Sequence, residues 1–90
     1  MKRNDNNVMK YTPFEAKEVF YIKQIIRLVQ TVIFIHSEPC YRSGTFSSIR
    51  VSGKFDDIKF ICEKFKTKYM KAVCFKQCKY PSKDFILYKK

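Results

Sequence analysis

The chain has 90 residues, 46% of them hydrophobic and 17% aromatic, and 19 basic against 8 acidic side chains give a formal net charge of +11. That length bounds the answer to one domain with a modest core, and the apolar and aromatic content excludes a chain disordered throughout. No apolar run approaches a membrane span, and the basic N-terminus has no hydrophobic stretch behind it, so neither membrane nor signal peptide is expected, and a cytoplasmic protein is.

Residues 1–11 are polar and unpatterned and read as a flexible basic arm, with a single domain over 12–90. In Thr12-Pro13-Phe14-Glu15 the threonine can cap a helix, the proline suits its first position, and the glutamate three residues on can close a capping box. The helix so opened is predicted to run to about Val29, with Val19, Ile22, Ile25, Ile26 and Val29 on one stripe. Thr31 to Ile35 is β-branched and aromatic and reads as a strand. Both of its faces are apolar, which places it in the middle of the sheet or under cover on both sides. His36 to Thr45, with Pro39, Ser43 and Gly44, reads as a ten-residue connection.

Phe46 to Val51 alternates, with Ile49 and Val51 on one side and Ser48 and Arg50 on the other, as a strand with one wet face does. Gly53 breaks it. Asp56 and Asp57 then fall where the positive end of a helix dipole favours carboxylates, and Ile58, Ile61, Cys62, Phe65 and Tyr69 form the buried stripe of a second helix. Met70 to Lys76 returns to strand character, Tyr80-Pro81-Ser82-Lys83 is a turn, and Phe85 to Tyr88 is a last strand. The expected fold is α+β, in the order αββαββ: a four-stranded, mainly antiparallel sheet with two helices on one face, the halves forming a loose αββ repeat.

The charge is uneven. Lys64 to Lys83 holds seven lysines (Lys64, Lys66, Lys68, Lys71, Lys76, Lys79 and Lys83) and no acid. Phe60, Lys64 and Lys68 follow one another at spacings of four, a line away from the buried stripe. A ring beside a row of ammonium groups suits nucleic acid, the lysines neutralising phosphates and the ring stacking on a base. Arg42, Arg50, Lys2 and Arg3 would extend that surface. DNA and RNA are both compatible with it.

The same residues have a plainer reading as a solvated helix face. Phe20, also off its helix's main stripe, and Phe60 would then anchor a homodimer contact or a host protein with an acidic surface. Half of the chain is Lys, Ile, Phe, Tyr, Asn and Met, all read from A+T-rich codons, which with the small size points to a phage or mobile element. If the protein is viral, its compartment is the host cytoplasm.

His36-x-x-x-Cys40 and Cys74-x-x-x-Cys78 each lie at the end of a strand, and if those ends met they would offer four tetrahedral metal ligands. The spacing is not the C-x₂-C of most zinc knuckles, so unligated thiols are the expectation and no cofactor is assigned. His36, Glu38 and Cys40 are the sole candidates for a thiol catalyst, and nothing in the sequence orients the imidazole. With two glycines, Gly44 and Gly53, phosphate-cradling loops are absent. The sequence therefore predicts a small non-enzymatic nucleic-acid-binding protein, with a viral modulator of a host protein as the alternative.

Overall fold

A computed structural model describes residues 12–40, 44–69, 73–77 and 83–90. Its elements in chain order are β1 (Phe14–Glu15), α1 (Ala16–Leu28), β2 (Ile33–Pro39), β3 (Thr45–Ser52), α2 (Phe55–Tyr69), β4 (Val73–Gln77) and β5 (Asp84–Lys89). The expected αββαββ order is present, with one short strand added at the front. The predicted basic arm lies outside the described residues.

The added strand changes where the first helix starts. Thr12 donates its N–H to the Lys89 carbonyl at 2.9 Å, and Phe14 and Glu15 pair antiparallel with Phe46 and Thr45. Residues 12–15 are therefore extended, and the helix begins three residues later than Thr12-Pro13 suggests. Glu15 is the N-cap, with its backbone N–H on the Glu18 carboxylate at 2.8 Å. The box logic is right and its register is shifted, because sheet pairing satisfies the backbone that a helix would otherwise have to satisfy. From there α1 buries Val19, Ile22, Ile25 and Ile26, as its stripe predicts, and stops at Val29 in extended conformation.

The sheet runs β2-β3-β5-β4 with every neighbouring pair antiparallel, and β1 lies beside β3 beyond the end of β5. Exchanging the two αββ halves maps this strand order onto itself, which is the arrangement expected of a loose repeat. β3 and β4, both antiparallel to β5, run parallel to each other, and α2 crosses between them. Successive strand residues point to opposite faces. One face carries Ile49 and Val51 of β3 opposite Leu87 and Phe85 of β5, all buried, and they form one core with the apolar stripes of both helices. Phe14, Phe65, Tyr21 and Tyr69 close the core between the helices through ring contacts at 4.8–6.3 Å.

The first long strand departs from expectation. It starts at Ile33, continues to Pro39 and pairs with β3 through Pro39↔Phe46, so the connection to β3 is residues 40–44 rather than ten residues. It is an edge strand, with Ile33 64% exposed, rather than a central one. Apolar residues on both faces set strand propensity without saying which neighbours the strand has, and the hairpin order leaves β2 outermost. Its edge position also explains how Pro39, which has no N–H to donate, is accommodated.

Gly53 has a packing reason as well as a turn one. A Cβ there would lie 2.7 Å from the Thr31 carbonyl oxygen and 2.9 Å from Val32 Cα, so the β3–α2 turn passes against the α1–β2 turn only because the side chain is missing. The Thr31 hydroxyl donates to the Asp57 carboxylate across the same junction.

Candidate nucleic-acid interface

Helix α2 forms because its acidic first turn, Asp56 and Asp57, complements the dipole, and because Ile58, Ile61, Cys62 and Phe65 bury one stripe against the sheet. Burying that stripe leaves Lys59, Phe60, Lys64, Lys66 and Lys68 exposed. Phe60 retains 45% of its surface, and the Lys64 ammonium lies 5.4 Å from its ring centre. Lys68 sits 5.9 Å from the ring centre of Tyr21, which reaches across from α1. Both are within the range of cation–π attraction. Among the described residues no carboxylate pairs with Lys59, Lys64, Lys66 or Lys68; the acids in ion pairs are Glu15, Glu18, Glu38 and Asp84. The expected line of ring and ammonium groups is therefore present on a solvent-facing helix surface. Tyr21 joins it, a residue the helical pattern of α1 alone does not single out, because its role depends on how α1 and α2 pack.

The other candidates divide. Lys76 is exposed on β4, on the sheet face away from the helices. Arg50 is on that face too, but its guanidinium donates to Asp84 at 2.9 Å, so a phosphate there would compete with a formed ion pair. Tyr88 lies on that face beside Cys74 and is half-buried. Arg42, Lys71, Lys79 and Cys78, with Lys2 and Arg3, fall outside the described residues. Phe20 does not share a surface with Phe60. It flanks α1 on the side away from Tyr21, beside β2, with Lys23 and Arg27.

Of the four candidate metal ligands, Cys78 lies outside the described residues, and His36 and Cys74 are not brought together. β2 and β4 are the two outer strands of the sheet, three strand spacings apart, which is about 14 Å at ordinary spacing. His36 on β2 and Cys74 on β4 therefore cannot reach one ion, and no cluster of three or more metal-ligating side chains occurs among the described residues. The thiol dyad is also not formed: His36 Nε2 lies 3.4 Å from Glu38 Oε1 on the same exposed strand and makes no described hydrogen bond to Cys40. Cys62 is buried in the α2 stripe, where burial pushes its thiol up from 9.0 to about 12, with Cys74 and Glu63 adding to the shift. A thiol so placed is inert at neutral pH.

A feature that sequence reasoning missed is the buried ion pair of Glu18 and Lys89, at 2.6 Å, with Lys89 only 3% exposed. It ties the start of α1 to the end of β5 and is structural. No family model matches the chain, and neither the curated proteins nor the solved structures contain a match. No helix among the described residues is long and apolar enough to cross a membrane.

Proposed function

We propose that this chain is a small non-enzymatic nucleic-acid-binding protein of the kind an A+T-rich phage or mobile element encodes, using the outer face of α2 as its contact surface. The observation that carries the reading is Phe60, exposed and flanked by Lys64, in a stretch whose lysines have no described carboxylate partner. A core-directed phenylalanine would be covered, and Lys64 and Lys68 have no acid three or four residues away, whereas Lys59 and Lys66 have Glu63 at those spacings as an ordinary solvated helix face does.

In this reading Lys64 and Lys68, with Lys71 and Lys79 along the chain, contact phosphates and supply affinity without sequence preference, whereas Lys76, on the sheet face away from the helices, is not part of this surface. Phe60 stacks on an exposed base, which favours single-stranded DNA or RNA over an intact duplex. The test is fluorescence anisotropy with labelled single-stranded DNA, single-stranded RNA and duplex probes. Lys64→Glu with Lys68→Glu is expected to abolish binding to all three. Phe60→Ala is expected to weaken single-strand binding by about 1–3 kcal/mol and duplex binding little. Unchanged binding in the double charge reversal would refute the placement of the surface.

A further inference from the structure

On the flank of α1 away from α2 lies a groove that the nucleic-acid reading does not use. It has a volume of about 560 Å³ and runs between α1 and the outer strand β2. Ile26, Val29 and Val32 supply its apolar floor, while Phe20, 63% exposed, and Ile33, 64% exposed, stand at its sides. Lys23 and Arg27 follow Phe20 at spacings of three and four and so stand on one line along the groove; no acid lines it. Lys23 is held 4.6 Å from the Phe34 ring centre, which leaves its ammonium at the groove rather than in bulk solvent.

Three considerations select the occupant. A nucleic acid would find the Phe20 ring and a second ring, Phe34, that is half-buried with Lys23 over it, so that, although Gln24 and Gln30 can hydrogen-bond, the floor of branched aliphatics offers successive bases no row of stacking platforms. A second copy docking face to face would bring two Lys23 and two Arg27 side chains together, in a chain that already carries a net charge of +11. Simple strand addition is discouraged because β2 is interrupted by register shifts between Phe34 and His36 and between Glu38 and Pro39, and bulges and proline blunt an edge. What remains is a segment whose apolar side chains fill the groove and whose carboxylates meet its cationic line.

We propose that the α1–β2 groove docks an acidic, apolar segment of a partner protein, with Phe20 and Ile33 gripping its hydrophobic side chains and Lys23 and Arg27 pairing with its carboxylates. The surface is separate from the outer face of α2, so the protein would engage a protein and a nucleic acid at different places.

The experiment uses the full chain, isotopically labelled, titrated with a short synthetic peptide in which glutamate alternates with leucine and phenylalanine. Saturable binding is expected, with amide shifts concentrated at Phe20, Lys23, Arg27, Ile33 and Phe34. Affinity is expected to fall by at least about tenfold in Lys23→Glu with Arg27→Glu, and similarly in Phe20→Ser, all exposed positions whose variants should keep the wild-type circular dichroism. Lys64→Glu with Lys68→Glu is expected to leave peptide affinity within about twofold. Absence of saturable binding, shifts centred on α2, or full affinity in the groove variants would overturn the proposal. So would competition by single-stranded oligonucleotide for the same amides, or a dimer in sedimentation that Phe20→Ser dissolves, since each would assign the groove to another occupant.

Discussion

Cys62 illustrates how a single side chain reports its surroundings. Burial holds its thiol neutral to about 12, against 9.0 in the open, so the unfolded chain loses this proton at lower pH than the folded one. The associated stability is fully present below 9.0 and is lost as pH rises towards 12. Urea midpoints measured across that range are expected to fall less steeply in Cys62→Ala than in wild type, and a thiol reagent at neutral pH is expected to leave Cys62 unmodified in the folded protein. Glu18 and Lys89 make a second residue-scale prediction. Removing either partner strands a buried charge and should cost roughly 3–5 kcal/mol in chemical denaturation. Replacing both at once, Glu18→Leu with Lys89→Met, should cost much less, since no charge is then left alone. Gly53→Ala forces a Cβ against the Thr31 carbonyl and is expected to cost about 1–3 kcal/mol by the same measurement.

The elements show what periodicity can and cannot reveal. The buried stripe of α2 and the inward pair Ile49 and Val51 are legible because each element has one apolar and one polar side, and alternation then identifies the face. The first strand has no such contrast: Ile33 and Ile35 are apolar beside Phe34, and only the sheet order decides that β2 is outermost. The start of α1 is misread for a related reason. Thr12 to Glu15 and Glu15 to Glu18 both have a helix-start arrangement, and the choice between them is made by β3, far along the chain. The same contrast makes the helices' exposed rings testable. Phe65→Ala, at the centre of the core, should cost about 3–5 kcal/mol, whereas Phe60→Ala should change stability by no more than about 0.5 kcal/mol. A large loss for Phe60 would mean that something covers it, and the α2 surface would have to be redrawn.

At the scale of the whole molecule, the fold separates two exposed phenylalanines that the sequence offers as equivalent. Phe60 stands among the lysines of α2, and Phe20 stands over the groove beside β2. The line of Phe60, Lys64 and Lys68 is readable from helical spacing alone. The groove is not, since it depends on the angle at which β2 leaves the end of α1, which spacing along either element does not give. His36 and Cys74 are separated at this scale too, because the equivalent strands β2 and β4 of the two αββ halves lie on opposite edges of the sheet. The account rests on the lysine surface being an interface, and the salt dependence of oligonucleotide binding tests that most directly. Anisotropy titrations of single-stranded probe over a salt series should give a log–log slope of several units, and the milder Lys64→Gln with Lys68→Gln, which removes two charges without reversing them, should reduce it by about 1.4, at roughly 0.7 per phosphate contact. A slope near zero, or one that the double variant leaves untouched, would contradict the account.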